Sequence, residues 1–407
     1  MSFFFPNCFS FPMTATRFFR LPSVKRKRNE LLTALGATLA AFALLAGTAR
    51  AQSSTETDPM QRATTTAESF SSEMPSNAVM VVHGGAGSIE EVNMTEEEAE
   101  AYRAELTEAL RAGYAVIQDG GSSLDAVEAA IKPMEESRMF NSGRGGVFTN
   151  AGTVEHDASI MEGATRKAGA IAGTKHIAHP IEAARLVMEE SPHVMLARQG
   201  AEEFALAQGM DLVPNDYFYT DERRARFLEG LSSDASTGKA PDEDAGVRAR
   251  PERAPEHLGT VGAAAVDQSG TLAAGTSTGG TSNKRWGRIG DSPITGAGSY
   301  ADNETAAVSS TGWGEYFIRG VVPHDIASMM RYGDASLTEA ARTVINEKLP
   351  QIGDGQGTGG VIALDAEGNV ATPFTTPGMF RGWITEEGEV AVRFYAKDQY
   401  DGPMDGE

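Results

Sequence analysis

Gly259-Thr260-Val261-Gly262 is the stretch on which the reading of this chain turns. Upstream, residues 232–256 are dense in Ser, Asp, Gly, Pro, Glu and Arg and offer almost nothing to bury, so they read as a solvated loop. Downstream, the apolar run 260–267, the turn Gln268-Ser269-Gly270 and the run 271–278 predict a β-hairpin. A threonine that opens a buried strand behind a dispensable loop suits a nucleophile released as a new N-terminus by self-cleavage. Its freed α-amine can then act as the base for its own hydroxyl. Glycine at 259 removes a Cβ and permits a strained approach of the Thr260 hydroxyl to the preceding carbonyl, as an N→O acyl shift requires. The released amine, with an unperturbed pKa of about 7.7–8.0, would sit close to the operating pH of a general base. Taken alone, Gly-Thr before a strand is also an ordinary strand start, so the decision rests on the rest of the chain.

The 407 residues carry a formal charge of −21 and a single cysteine, Cys8. Lys25-Arg26-Lys27-Arg28, an apolar stretch over residues 31–46 and the small-residue site Ala49-Arg50-Ala51 read as a secretory signal over residues 1–51, cleaved before Gln52. The apolar stretch is short for a membrane span of about 20 residues. Residues 52–76, rich in Ser, Thr and Glu, read as a flexible lead-in. Export in this form predicts a periplasmic protein with no membrane anchor. Loss of the leader leaves 28 basic and 55 acidic residues, a formal charge of −27. That balance argues against nucleic acid and anionic membrane surfaces as partners, and it fits a high-salt habitat in which screening relieves self-repulsion. It also leaves no cysteine for a disulfide, a thiolate ligand or a nucleophile.

Along the chain, residues 78–83 read as a buried strand running into the glycine turn His83-Gly-Gly-Ala-Gly87. Thr95 with Glu98 forms a capping box for a helix to about Gln118, and Ser122 or Ser123 caps a second helix to about Glu136. Short strands are expected over 146–149, 153–161 and 168–172, and helices over 180–190 and 193–208. After the Thr260 hairpin, helices are expected over 314–319, 323–331 and 336–348, a hairpin over 359–375 and a strand over 390–395. Strand clusters and helix clusters alternate in blocks, which suits an α+β fold of helices covering antiparallel sheets.

The residues after the hairpin carry a resemblance. Thr276-Ser-Thr-Gly-Gly280, Gly287-Arg-Ile-Gly-Asp291, Gly296-Ala-Gly-Ser-Tyr300 and Ser309-Ser-Thr-Gly-Trp-Gly-Glu315 follow Gly259-Thr260 in order. With His83-Gly-Gly-Ala-Gly87, residues 134–143 and Gly359-Gly-Val-Ile-Ala-Leu-Asp365, this resembles the plant-type L-asparaginase/isoaspartyl peptidase family of N-terminal-nucleophile hydrolases. The likeness implies an αββα sandwich of two antiparallel sheets flanked by helices. It further implies one domain cut into an α chain (77–259, with a linker over 229–259) and a β chain (260–407), and a homodimer of such αβ pairs. Glycosylasparaginases, a neighbouring branch, typically carry Asn-Gly and Gly-Asp where this chain has Gly279-Gly280 and Gly314-Glu315.

The resemblance implies roles residue by residue. Thr260 is the nucleophile, Thr278 its hydrogen-bonding partner, and Asn141 lies near by. The Thr311 hydroxyl and the Gly312 amide form the oxyanion hole. Arg288 and Asp291, with the Gly314 carbonyl, hold the carboxylate and ammonium of an α-amino acid. A fork and a carboxylate are the minimal complement to such an end. Asparagine and isoaspartyl dipeptides are the implied substrates. No cofactor is expected for catalysis. A structural sodium is implied on the backbone carbonyls of Met134, Glu135, Ser137, Phe140, Ser142 and Arg144. His156 and His179 have no ligand spacing and read as solvated or satisfied. Trp313 and Thr375 depart from the family's usual residues and leave substrate preference open. A glycosylasparaginase-like amidase and an uncleaved periplasmic amino-acid-binding protein remain as alternative readings.

Overall fold

The computed structural model describes residues 77–236 and 259–396. The signal, the lead-in and most of the linker lie outside the described residues. Two sheets form the frame. The larger has the strand order β12-β11-β1-β5-β6-β2-β3-β4, and the smaller β10-β9-β8-β7. The strands are β1 (Ala78–Gly87), β2 (His156–Glu162), β3 (Ala168–Thr174), β4 (Met195–Ala197), β5 (Val261–Val266), β6 (Leu272–Thr278), β7 (Ser299–Ala301), β8 (Ala306–Gly312), β9 (Gly359–Asp365), β10 (Val370–Ala371), β11 (Gly378–Thr385) and β12 (Val390–Tyr395). Helices α1 (Glu96–Gln118), α2 (Ser123–Glu136) and α3 (Pro180–Glu190) cover the larger sheet. On the smaller sheet lie α7 (Val322–Gly333) and α8 (Leu337–Arg342), preceded by the short α6 (Gly314–Gly320). The sheets face each other through β1, β5 and β6 against β8 and β9, which gives the αββα sandwich.

The β5–β6 hairpin is made of small residues because both of its faces are covered. A Cβ at Gly275 would meet Val127, Ile131 and Ile181 on the helix side, the first at 2.8 Å. A Cβ at Gly262 would fall 2.0 Å from Ser309 Oγ and 2.4 Å from His83 Nε2 on the other. A run buried on both faces loses the usual alternation, and Val261–Val266 is accordingly buried throughout. The capping box of α1 forms as read, Thr95 with Glu98, and of the two candidates for α2 it is Ser122 that caps, in a box with Asp125.

Several expectations need correction. His83-Gly-Gly-Ala-Gly87 is not a turn: β1 runs through it, with a register shift between His83 and Gly85. Glycine is needed at 84 because a Cβ there would strike the Phe140 ring at 2.4 Å. Residues 146–149 form only an isolated bridge, Phe148 with Val154, and the next strand starts at His156. The segment read as helix from 193 begins with β4, which pairs parallel with β3, so the larger sheet is not wholly antiparallel. The region read as linker from 229 is still helical up to Ser236, the end of α5 (Asp221–Ser236). Strands β7, β8 and β11 lie outside the predicted elements. β8 and β11 are buried along almost their whole length and carry no clean two-residue alternation to reveal them.

Candidate active site

The hairpin register builds the centre of the site. Val261 pairs with Ser277, so the threonines just beyond them, Thr260 and Thr278, come together. Thr260 Oγ donates to Thr278 Oγ at 3.1 Å, and the Gly280 amide donates to the same oxygen at 3.0 Å. The bond between Gly259 and Thr260 is anchored on both sides. The Gly259 carbonyl accepts from the Asn141 amide at 2.9 Å, and the Thr260 carbonyl accepts from His83 Nδ1 at 2.9 Å. A carbonyl can only accept, so Nδ1 carries the imidazole proton, and Nε2, 2.9 Å from Ser309 Oγ, accepts. Burial lowers the His83 pKa to about 3, which keeps the ring neutral.

Asn141 does not touch Thr260 through its side chain. Its Nδ2 donates to the Gly280 carbonyl at 2.7 Å, and its Oδ1 accepts from the Val147 amide at 3.0 Å. Its carbonyl accepts from Gly279 at 2.8 Å. One residue thus ties the Gly259 carbonyl to the Thr278–Gly280 turn. A Cβ at Gly279 would fall 2.5 Å from Asn141 Oδ1, so that turn tolerates no side chain there.

Thr311 and Gly312 close β8. The buried Thr311 hydroxyl accepts from the Ala86 amide at 3.2 Å, which leaves its own proton free to donate. Gly312 has φ +144°, and a Cβ there would come within 2.5 Å of Gly359 Cα. Behind it, Thr375 brackets Gly359, donating its amide to the carbonyl at 2.9 Å and accepting from the amide at 3.1 Å. Trp313 is half-buried, and its amide donates to the Thr358 carbonyl at 3.1 Å.

Arg288 and Asp291 meet at the first residue of α6. A Cβ at Gly314 would fall 2.7 Å from Asp291 Oδ1 and 2.9 Å from Arg288 Nη2. Asp291 is buried with Oδ2 unpartnered, and burial raises its pKa to about 7 against the pull of Arg288. The direct ion partner of Arg288 is a residue to which the linear motifs give no role. Glu315 takes its Nε and Nη2 at 2.9 Å each. Lys284 is also buried, donating to the Glu155 carbonyl at 3.0 Å, and burial lowers its pKa. It stands beside Gly280, where a Cβ would lie 3.0 Å from its Nζ.

In the loop after α2, glycines stand directly against carbonyl oxygens. A Cβ at Gly143 would lie 1.9 Å from the Glu135 oxygen, and one at Gly145 would lie 1.9 Å from that of Phe140 and 3.0 Å from that of Arg138. The Ser142 carbonyl already accepts from Gly145 at 3.1 Å. Among the described residues no cluster of His, Cys, Asp and Glu is suited to a metal, so an ion there would rest on backbone oxygens. The Glu135 side chain is buried and accepts from Ser277 Oγ at 2.6 Å and the Ile181 amide at 3.0 Å. His156 is buried and only half satisfied, its Nε2 donating to the Gly143 carbonyl at 3.0 Å while its Nδ1 has no partner, and His179 faces Glu135 at 3.5 Å.

A family model described as asparaginase matches residues 76–393 of this chain. The chain belongs to the asparaginase family. It is 48% identical over 306 residues to the isoaspartyl peptidase of Salmonella typhimurium, an alignment covering 75% of this chain and 95% of the relative. It is 47% identical to the Escherichia coli isoaspartyl peptidase, over 75% of this chain and 92% of that one. The human isoaspartyl peptidase/L-asparaginase is 37% identical, over 74% and 92% respectively. The span matched by the asparaginase family contains every site residue described above, on both sides of Gly259-Thr260.

Proposed function

We propose that this protein is a threonine amidohydrolase that severs itself between Gly259 and Thr260 and then hydrolyses isoaspartyl dipeptides and L-asparagine. The observation that carries this reading is the contact of Thr260 Oγ with Thr278 Oγ at 3.1 Å beside an anchored glycine carbonyl. In self-cleavage the Thr260 hydroxyl attacks the Gly259 carbonyl carbon, whose oxygen already receives the Asn141 amide. The acyl group moves from nitrogen to oxygen, and water hydrolyses the resulting ester. The freed amine then takes the proton from its own hydroxyl as it attacks a substrate β-carbonyl. In this reading Thr311 and Gly312 meet the charge developing on that oxygen as an oxyanion hole. Collapse releases ammonia or the downstream amino acid, and water frees aspartate from Thr260. Arg288 and Asp291 select substrates with a free α-amino-acid end, and ionised Asp291 is the form that receives the ammonium.

Purified protein run under denaturing conditions should give two fragments, the smaller beginning at Thr260 on N-terminal sequencing. Ammonia release from asparagine and amino-acid release from β-aspartyl dipeptides should both be measurable on that material. A single intact band with amino-acid binding and no turnover would favour a solute-binding protein instead. Export with cleavage before Gln52 is supported by the basic cluster, apolar stretch and Ala49-Arg50-Ala51, and N-terminal sequencing of the larger fragment tests it. The carbonyl oxygens of Glu135 and Phe140, packed against Gly143 and Gly145, are the candidate ligands of a structural sodium. Its test is a higher melting temperature in sodium chloride than in a tetramethylammonium salt of equal strength.

A further inference from the structure

Arg288 offers five N–H donors on two usable edges, and in this structure only one edge is taken. Glu315 occupies Nε and Nη2, each at 2.9 Å. Nη1 has no partner among the described residues. Three glycines stand close against the guanidinium on that side. A Cβ at Gly290 would lie 2.7 Å from Nη1, one at Gly280 3.5 Å from Nη1, and one at Gly314 2.9 Å from Nη2. Through Gly280 that edge adjoins the amide that holds Thr278, and through Gly314 it adjoins Asp291.

An unrestrained arginine side chain has rotamer entropy to lose when it engages a ligand. We propose that Glu315 is a positioning residue: by gripping the Nε/Nη2 edge of Arg288 it turns the Nη1/Nη2 edge toward the space beside Gly280, Gly290 and Gly314, where a substrate α-carboxylate makes its second bidentate pair. This inference rests on the functional reading above and deepens it. Glu315 neither touches the reacting atoms nor competes for the substrate's edge; it orders the fork in advance. Its placement in the first turn of α6, next to Gly314, fixes the carboxylate relative to Asp291 as well.

The test uses processed wild-type enzyme, Glu315→Ala and Glu315→Gln, with fragment formation and melting temperature confirming that each variant folds and cleaves. Steady-state constants are measured for L-asparagine and for its α-carboxamide, which lacks the carboxylate. Glu315→Ala should raise KM for asparagine by about tenfold or more, with a much smaller change in kcat. The preference for asparagine over the α-carboxamide should narrow by the same factor. Glu315→Gln, which retains an acceptor for Nε, should fall between the two. A KM that falls in Glu315→Ala would mean that Glu315 competes with the substrate, and an unchanged KM or unchanged preference would mean that it does not orient Arg288; either result overturns the inference. Should Glu315→Ala fail to fold, the same two readouts on Glu315→Gln decide, and a wild-type KM and preference there overturn the inference equally. Wild-type enzyme that cleaves itself but turns over neither asparagine nor β-aspartyl dipeptides would instead defeat the functional reading.

Discussion

Replacing Asp291 by asparagine should make the free protein more stable at alkaline pH while destroying its affinity for substrate. Asp291 is buried, its Oδ2 has no partner, and its pKa rises from an ordinary 3.8 to about 7. Burial is the dominant cause; Arg288 opposes it, and Glu315 adds a little by repulsion. The sign follows from proton linkage. Between the two pKa values the folded protein retains a proton that the unfolded chain has lost, so stability falls as pH rises through that window. Above the folded pKa the full cost is present, at most about 4 kcal/mol from the size of the rise. Two buried histidines titrate in the overlapping range with the opposite sign. His83 and His156 are both lowered to about 3, so each loses stability as pH falls from 6.5. The informative quantity is therefore the difference between wild type and Asp291→Asn, in which the histidine contributions cancel. Urea denaturation of both proteins at about pH 5 and about pH 9 should show the variant's advantage growing by about 3 kcal/mol between the two. Parallel stability–pH curves for the two proteins would refute the argument. In wild type the same ionisation should make kcat/KM rise through about pH 7, because only the carboxylate receives an ammonium.

Gly314→Ala places a methyl group 2.7 Å from Asp291 Oδ1 and 2.9 Å from Arg288 Nη2, an overlap of the kind that costs about 1–3 kcal/mol. It should raise KM roughly tenfold to a hundredfold by steady-state kinetics, while Gly333→Ala, which meets nothing within 4 Å, should not. Thr278→Val removes the acceptor of both Thr260 Oγ and the Gly280 amide, and a time course of fragment formation should show self-cleavage slowed by at least about tenfold. Gly262→Ala drives a methyl into Ser309 and His83, so the imidazole anchor on the Thr260 carbonyl shifts and processing should fail on denaturing electrophoresis. In an Asp291→Asn background, acidification below about pH 6 should lower the urea midpoint steeply, since the unfolded chain then takes up the protons that His83 and His156 refuse.

Local signals are legible wherever a few neighbouring residues settle the matter. The Thr95–Glu98 capping box, the serine cap of α2, the Gln268-Ser269-Gly270 turn and the flanking strands form as read, because side-chain caps and tight turns are decided within about four residues. The pairing of Thr260 with Thr278 then follows from hairpin register alone. Strands β8 and β11 are silent in the linear chain because both faces of each are covered, and a segment wetted on neither side has no alternation to display.

The candidate nucleophile, the clamp pair and the oxyanion residues can thus be named from the linear chain, each inside a short motif. What those groups touch cannot. His83 reaches the Thr260 carbonyl across 177 residues, and Glu315 claims the fork of Arg288 across 27. Asp291, three residues from that arginine, is left buried with a carboxylate oxygen unpartnered. A side chain's protonation and bonding depend on which dipoles and charges surround it after water has been expelled. Those neighbours arrive from β1, α6 and the loops before them, so only the assembled sandwich determines that Glu315, and not the neighbouring Asp291, holds the arginine.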